Sequence, residues 1–356
     1  MNMKTLLLFP ILISFHFIIL TQAQNLVRGP YLQSPGPNSI IIRWRTDVPG
    51  NSRVTYGTSF GATDFTADEA TVTTEHRIKL TGLTPHTMYY YKIGSAANVL
   101  RGPDSLLHFT TAPDSNVPTP VRLWVIGDFG RGNPGQVEVS NSYTEYSVNE
   151  PADLWLWAGD NVYYDGTDVE YQTKVFDSIA GYQHLFPNLP FAPTPGNHDY
   201  GSICPLPCNI DPANHTGPYF DIIDPPTQGE LGGVPSNTKL FYSFDYGDIH
   251  FVSLNSEIGS LTPAYNWLGV FNNDTAFSSP MLDWLRADMA ATTKKWKIAF
   301  WHQMPYSLDG TTDLQPFEFA TRVHFNSILE RYGVDLVLEP FEKLVSFLNK
   351  SQTYFF

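Results

Sequence analysis

Short stretches in which apolar and polar residues alternate make up the first third of the chain, a spacing typical of half-buried β-strands. Turn-forming residues separate these stretches at 35–37, 49–50 and 84–85. Strands are therefore predicted over the following ranges: 39–45, 53–56, 75–80, 88–93 and 106–110. Several short strands at this spacing favour a small β-sandwich.

A different pattern follows the polar, proline-bearing linker at 112–120. Continuous apolar runs now alternate with stretches of helical spacing, which favours an α/β arrangement. The elements predicted here are strands at 121–126, 153–158, 295–300 and 334–338, a strand pair across 240–254 that turns at 246–248, and helices at 168–186 and 279–291.

Polar side chains follow several of these apolar runs directly, often after a glycine. Six of them stand out: Asp128, Asp160, Tyr163, Asn197, His198 and His302. Because ligands gather at the carboxyl ends of strands in α/β sheets, we expect these side chains to meet at one edge. Each motif alone is as readily a turn or a packing residue, so the prediction depends on their order and spacing.

The donor types in this set suit metal ions. Carboxylate, phenolate, amide and imidazole groups together can hold two cations about 3.5–4 Å apart, which clamp the attacking and leaving oxygens in phosphoryl transfer. A carboxylate can bridge the two cations, and a phenolate favours a hard, trivalent metal at one position. Without metals, the two buried aspartates would repel and shift each other's pKa.

Charge and length narrow the class of function. The chain has 356 residues and a formal net charge of −14. Two domains are expected, because domains contain roughly 100–200 residues. An acidic surface disfavours nucleic acid or an anionic membrane as partner. It would also repel a phosphorylated substrate unless a local positive centre, such as a metal site, attracts it.

Residues 1–23 have the pattern of a signal peptide. Lys4 precedes an apolar run at 6–20, and Ala23 ends a small-residue cleavage site. The run is shorter than the about 20 residues that a membrane span needs. Secretion into the extracellular space is therefore expected, with no membrane anchor.

Secretion bears on two further features. It permits a disulfide between Cys204 and Cys208, whereas the prolines of the short Cys-Pro-Leu-Pro-Cys loop keep two free thiols as the alternative. N-glycosylation sequons occur at three positions: Asn214, Asn273 and Asn349.

The motifs resemble those of a known family. Gly-Asp-Phe-Gly at 127–130, Gly-Asp-Asn-Val-Tyr at 159–163, Gly-Asn-His-Asp at 196–199 and the strand ending at His302 are similar, in this order, to the motifs of calcineurin-like metallophosphoesterases. Tyrosine in the second motif narrows the resemblance to purple acid phosphatases. So does residue range 80–90, which resembles the turn before a late strand of fibronectin type III domains.

The resemblance implies the fold and its divisions. A fibronectin type III-like β-sandwich at 24–115 would be followed by an α/β metallophosphoesterase domain at 120–338, in which a sandwich of β-sheets is flanked by helices. Residues 339–356 would form an atypical tail.

The resemblance also implies the roles of the site residues. The ligands would divide as follows: Asp128 and Tyr163 to ferric iron, Asp160 as the bridge, and Asn197 and His302 to divalent iron, zinc or manganese. His198 would not be a ligand but would face the substrate. It would stabilise the transferring phosphoryl group and protonate the leaving oxygen. The implied reaction is hydrolysis of phosphomonoesters in acid by a hydroxide that the metals supply.

The sequence departs from the family after the strand at 334–338. Two histidines of a Ser-Gly-His-X-His motif would follow there, but this chain has Glu339 and Pro340, and its last histidine is His324. The domain would thus be incomplete at its C-terminal side and impaired in activity. The helix predicted around His324 faces away from the strand ends, so substitution by His324 is not expected.

Two other functions remain open from the sequence. One is a catalytically inactive secreted homologue that binds metal, phosphate or a protein partner. The other is an adhesion module led by the β-sandwich. The partners expected for the enzyme are a phosphorylated small molecule or protein as substrate and, in a homodimer, a second copy of the chain.

Overall fold

The computed structural model describes most of the chain between residues 24 and 340. The described ranges are 24–61, 64–115, 117–200, 215–257, 279–305 and 321–340. Several predictions lie outside them: the signal peptide at 1–23, Cys204 and Cys208, the three sequons, and the tail beyond Pro340. Within the described part of the chain, no helix is both long enough and apolar enough to cross a membrane.

In the N-terminal region, the described residues form six strands. Their bounds are β1 Leu26–Gln33, β2 Ser39–Gly57, β3 Phe65–Thr81, β4 Met88–Gly94, β5 Val99–Arg101 and β6 His108–Thr110. The ranges 39–45 and 53–56, predicted as separate strands, belong to one strand, β2. The turn expected at 49–50 is wrong, because register shifts on either side of Gly50 bend β2 against β3 without ending it.

The bend makes this region a sandwich. The first half of β2 pairs with β1 and the end of β3, whereas its second half pairs with β4 and the start of β3. Ile40, Ile42 and Trp44 lie two residues apart along β2, so they share one face, and all three are buried. They pack with Val54 of the second half and with Tyr91 of β4 in a single apolar cluster. The predicted β-sandwich is thus confirmed.

In the second region, seven strands and five helices lie within the described residues. The strands are β7 Leu123–Ile126, β8 Leu154–Ala158, β9 Phe191–Thr194, β10 Tyr242–Tyr246, β11 Ile249–Ser253, β12 Trp296–Phe300 and β13 Leu336–Leu338. The helices are α1 Pro134–Ser147, α2 Asp168–Tyr171, α3 Pro218–Ile222, α4 Pro280–Ala291 and α5 Ser327–Arg331. Two π-helical segments occur at Gln172–Phe176 and Thr321–Asn326, and two 3₁₀ turns at Ser178–Ala180 and Asn197–Tyr200.

The helix expected at 168–186 is shorter and less regular than predicted. It starts as α2, where Thr167 and Glu170 form a capping box, and continues as a π-helical segment. Helical structure stops at Ala180, because Gly181 has φ +86°, a left-handed conformation that ends helices.

Two sheets face each other in this region. The first contains the parallel strands β7, β8 and β9, and the second has the order β10-β11-β12-β13, with β11, β12 and β13 parallel. Leu154 and Leu156 of β8 pack in one cluster with Phe251 of β11 and Phe300 of β12, so this cluster joins the two sheets. The predicted α/β sheet sandwich flanked by helices is therefore confirmed.

The outer faces carry the helices. On β8, Trp155 and Trp157 alternate with the inward leucines and pack in a second cluster with helical and loop residues such as Phe176 and Phe186. The two regions share a sheet edge, because Gln33 of β1 pairs in parallel with Phe191 of β9. With β7, β8 and β9 parallel, their carboxyl ends lie at one edge, where the polar motifs follow.

Candidate metal centre

Three of the predicted ligands lie together. Asp128 after β7, Asp160 after β8 and His302 after β12 each offer a ligand atom, and these atoms lie within 4.8 Å of one another. His302 Nε2 is 3.4 Å from Asp160 Oδ2. Within the described ranges, no other group of three or more His, Cys, Asp or Glu side chains is arranged to hold a metal ion.

The backbone conformation of the loops depends on glycine and on two strained aspartates. Asp128 and Asp160 have φ angles of 55° and 47°, in the left-handed region that non-glycine residues rarely adopt. A Cβ at Gly159 would lie 2.4 Å from His302 Cβ, and a Cβ at Gly196 would lie 2.2 Å from Asp160 N. These two glycines are therefore required by the close approach of three loops.

His302 is oriented by the neighbouring strand. Its Nδ1 lies 3.3 Å from the Ala158 carbonyl oxygen, which can only accept, so Nδ1 carries the proton. This leaves Nε2 directed at Asp160. A histidine fixed through its second nitrogen in this way is typical of a metal ligand.

Charge is concentrated in this cluster, in which Asp160 and His302 are buried and Asp128 is half-buried. Burial raises the pKa of Asp128 above its ordinary value. Burial would raise the pKa of Asp160 as well. Its contacts with His302 and His198 outweigh burial and hold the pKa of Asp160 below its ordinary value. Although burial works against it, the same pairing with Asp160 raises the pKa of His302 to about 10. Protonated His302 therefore neutralises part of the negative charge of the aspartates, which a bound cation would otherwise neutralise.

Tyr163 joins the cluster through Asp128. Its hydroxyl donates a short hydrogen bond to Asp128 Oδ1. Burial, followed by this hydrogen bond to a carboxylate, raises the pKa of Tyr163 well above its ordinary value. The phenol is therefore a neutral donor in this geometry, and a strongly charged cation beside it would be needed to remove its proton.

The third motif forms a 3₁₀ turn against Asp160. The His198 backbone N–H donates to Asp160 Oδ1 over 2.8 Å, and its ring Nε2 lies 3.9 Å from Asp160 Oδ2. Its Nδ1 is 2.7 Å from the Tyr164 carbonyl oxygen and so carries a proton. Asn197 Oδ1 accepts from Gln303 Nε2 over 3.3 Å, so this amide lies against the loop of His302.

Two buried carboxyl groups at the site had no predicted role. Asp199 accepts from Gly196 N over 2.7 Å and from Asn161 N over 3.1 Å, which ties the loops after β8 and β9 together. Glu257 is buried near the pair of His302 and Asp160. Burial raises the pKa of each carboxyl, Asp199 and Glu257, to about 7. Asp199 was visible as part of Gly-Asn-His-Asp, whereas no motif marks Glu257.

The segment after β13 also reaches the site. A Cβ at Gly127 would lie 2.2 Å from Pro340 Cβ, so Pro340 packs on the loop that carries Asp128. His324 is buried in the π-helical segment Thr321–Asn326, and the ligand cluster consists of three other side chains. His250 is likewise a buried packing residue, between two carboxylates away from the site.

The donor set fits a metal ion. Two carboxylates and one imidazole converge, with a phenol and an amide oxygen in the adjoining loops. Hard oxygen donors with imidazole suit iron, manganese and zinc.

Comparison with known proteins agrees with the fold and places the chain in a family of phosphoesterases. The family model described as calcineurin-like phosphoesterase matches residues 121–339, and the model of the purple acid phosphatase N-terminal domain matches residues 27–111. A solved structure described as PhoD shares the fold, with a TM-score of 0.59 over 87% of this chain and 70% of that chain at 13% identity.

Curated relatives are distant from this chain in sequence. Purple acid phosphatase 15 of Arabidopsis thaliana is 26% identical over 74% of this chain and 47% of its own length. Acid phosphatase A of Cryphonectria parasitica is 24% identical over 85% of this chain and 71% of its own length. The chain thus spans about half the length of the Arabidopsis relative. By the family match over most of its length, the chain belongs to the calcineurin-like phosphoesterases and carries the N-terminal domain of purple acid phosphatases.

Proposed function

We propose that the protein is an acid phosphatase that hydrolyses phosphomonoesters at a dinuclear metal centre. The observation that carries this proposal is the convergence of Asp128, Asp160 and His302 within 4.8 Å at the carboxyl ends of three strands. The names of its relatives, purple acid phosphatase and acid phosphatase, support the same chemistry.

Each side chain has a proposed role in holding the cations. The assignments are Asp128 and Tyr163 for ferric iron, Asp160 as the shared ligand, and Asn197 with His302 for divalent iron, zinc or manganese. When bound, such a pair supplies a water of lowered pKa as nucleophile and offsets the negative charge of the phosphate. The protein contributes the fixed geometry, since the Asp160 carboxylate lies between His302 and the turn that starts at Asn197.

His198 is the proposed catalytic residue. The Tyr164 carbonyl holds the Nδ1 proton, so the ring cannot turn freely and Nε2 stays on the side of Asp160. Nε2 of His198 is thus placed to contact a phosphoryl oxygen and to pass a proton to the leaving oxygen. Its side chain is 24% exposed, so a substrate can reach it from solvent.

The setting of this activity follows from the sequence. We expect a secreted protein that acts on a phosphorylated small molecule or protein, because a signal-peptide pattern precedes the sandwich. Its acidic charge of −14 makes nucleic acid and anionic membranes unfavourable partners. We also propose that two copies of the chain form a homodimer.

A second candidate function is an inactive homologue that binds metal or phosphate. The observation that favours it is the sequence after β13, where Glu339 and Pro340 stand in place of the expected histidines. Losing a residue that only supports a ligand typically reduces affinity or activity by about 10–100-fold, so losing a ligand from each metal should cost more.

The experiment compares Asp160→Ala with Asp153→Ala, the same change just before the opposite end of β8. Hydrolysis of p-nitrophenyl phosphate in acid, bound iron and a visible absorption band are measured for both and for the unmodified chain. Only Asp160→Ala should lose activity and metal together. Metal binding without turnover in the unmodified chain would favour the inactive homologue, and unchanged turnover in Asp160→Ala would refute the enzyme.

A further inference from the structure

Glu170 binds the backbone of the loop that carries the Tyr164 carbonyl. Its Oε1 accepts from Tyr164 N over 2.6 Å, and its Oε2 accepts from Asp165 N over 2.9 Å and from Thr167 N over 3.2 Å. The contact with Thr167 is half of the capping box at the start of α2. One carboxylate thus satisfies three backbone donors, two of which lie in the loop just after Tyr163.

This carboxylate keeps its charge in acid. Lys174 Nζ lies 2.8 Å from Glu170 Oε1 and also donates to the Tyr163 carbonyl oxygen. Burial would raise the pKa of Glu170, but Lys174 and the backbone N–H donors outweigh burial and lower the pKa to about 2. Hydrogen bonds to an ionised acceptor are stronger than those between neutral groups, so the loop is held firmly.

The helix that carries Glu170 is itself fixed from the sandwich. Asp168, the first residue of α2, accepts from Arg28 Nη2 over 3.0 Å and from Arg45 Nη1 over 2.6 Å. Arg28 Nε also donates to Gln172 Oε1 over 2.8 Å, in the π-helical segment that continues α2. Because two arginines of the sandwich hold α2, Glu170 projects from a helix that cannot follow movements of the loop.

The loop is in direct contact with His198. The Tyr164 carbonyl oxygen lies 2.7 Å from His198 Nδ1, and His198 Nε2 lies on the side of Asp160. A Cβ at Gly166 would lie 2.7 Å from the His198 carbonyl oxygen, so the same loop packs on the backbone of this residue. We infer that Glu170 is a positioning residue, which holds the Tyr164 carbonyl against His198 and so fixes the ring with its proton on Nδ1. The effect of Glu170 on turnover rests on the proposed role of His198.

The first experiment reads the His198 ring directly and needs no turnover. NMR of the full chain with added zinc at pH 8, with isotope-labelled histidine nitrogens, shows which ring nitrogen carries the proton, and His198→Ala identifies the signals. In the unmodified chain, the proton should be on Nδ1. In Glu170→Ala the loop loses its acceptor, so the ring should exchange between both tautomers and the Nδ1 signal should shift. Glu170→Gln keeps one acceptor oxygen and should give a smaller shift, and it serves if the alanine variant does not fold.

The second experiment measures the consequence for turnover. A proton passed to the leaving oxygen matters more for a poor leaving group than for a good one. In Glu170→Ala, kcat should therefore fall about 10-fold with phenyl phosphate but only about 3-fold with p-nitrophenyl phosphate, whose leaving group needs less protonation. In a chain that already carries His198→Ala, the change at Glu170 should cause no further loss, because residues that act through one another are not additive.

The control is Glu150→Ala, which removes the carboxylate that pairs with Arg122 before β8, away from the ligand cluster. It should leave the His198 tautomer and both rates unchanged. An unchanged tautomer in Glu170→Ala, or an equal loss with the two esters, overturns the inference.

The two proposals fail separately. A chain that hydrolyses no ester but shifts the His198 tautomer in Glu170→Ala refutes the phosphatase and keeps the positioning role. A chain that hydrolyses both esters with an unchanged tautomer in that variant does the reverse.

Discussion

His76 of the sandwich and His250 of the α/β region are both buried away from the ligand cluster, but their surroundings have opposite effects on their charge. In the sandwich, His76 stacks on Trp44 with ring centroids 4.9 Å apart, and its nitrogens contact the hydroxyls of Thr46 and Ser52 at 2.7 and 2.9 Å. Burial lowers the pKa of His76 to about 4, so the ring is neutral.

In the α/β region, His250 is enclosed by carboxylates. Its Nδ1 lies 2.7 Å from Asp245 Oδ1 and its Nε2 2.9 Å from Asp288 Oδ2. Burial alone would lower the pKa of His250, but the two aspartates outweigh it and raise the pKa to about 9. The comparison teaches that partners, rather than burial, decide whether an interior histidine is charged. The α/β region supplies carboxylates inside, both here and at the ligand cluster.

The largest effect should come from His302→Ala. The change removes the imidazole that faces Asp160, so metal content should fall and kcat/KM should drop by more than about 100-fold. His108→Ala on strand β6 of the sandwich is the matched control and should leave both unchanged. Equal activity in the two variants would mean that the ligand cluster of the α/β region has no chemical role.

A large loss of stability is expected from Asp288→Asn. Asp288 is fully buried and also accepts from Ser243 Oγ and Val234 N, so the change weakens the pairing of a buried imidazolium. Breaking a buried ion pair costs about 3 kcal/mol or more in the free energy of unfolding. Urea denaturation at pH 6 measures it.

The control lies on the same helix, α4. Asp283→Asn alters a side chain that is 63% exposed and should change the free energy of unfolding by less than about 0.5 kcal/mol. Similar losses in the two variants would show that the network around His250 carries no special share of the stability.

The smallest effect is a difference in pH dependence between two histidine variants. The folded pKa of His250 is raised to about 9, so its contribution is complete below about 6.5 and is lost as the pH rises through about 9. The folded pKa of His76 is lowered to about 4, so its contribution is complete above about 6.5 and is lost as the pH falls towards 4.

Denaturation of His250→Gln and His76→Gln between pH 4 and 9 tests these signs. Relative to the unmodified chain, the stability deficit of His250→Gln should shrink at alkaline pH and that of His76→Gln at acid pH. The slope of each difference should not exceed about 1.4 kcal/mol per pH unit, the limit for one proton. Parallel pH profiles would remove the contrast between the two regions.

Local sequence was sufficient for most elements. Strands β4, β8, β11 and β12 were predicted to within two residues, because alternating apolar residues in β4 and continuous apolar runs in the other three are typical of strands. The bend of β2 was not predicted. Pro49-Gly50 is typical of a turn, and only pairing with β3 on both sides of it keeps the strand continuous.

The site residues also divide into those that the sequence predicted and those that it did not. Asp128, Asp160 and His302 were predicted as neighbours because each follows an apolar strand, and parallel strands end at one edge. The supporting residues Asp199 and Glu257 could not be assigned. Their role depends on which backbone amides and side chains lie opposite them in the folded chain.

By itself, the sequence determined that a β-rich region precedes an α/β region, where the strands end and which types of donor atom follow them. These features depend on residues near one another along the chain. Only the tertiary structure decided that His250 meets Asp288, 38 residues away, and that Arg131 lies over Tyr163. It also decided that β1 pairs with β9 at one sheet edge. Such contacts depend on how loops and strands pack in three dimensions, and local hydrophobic periodicity carries no record of that packing.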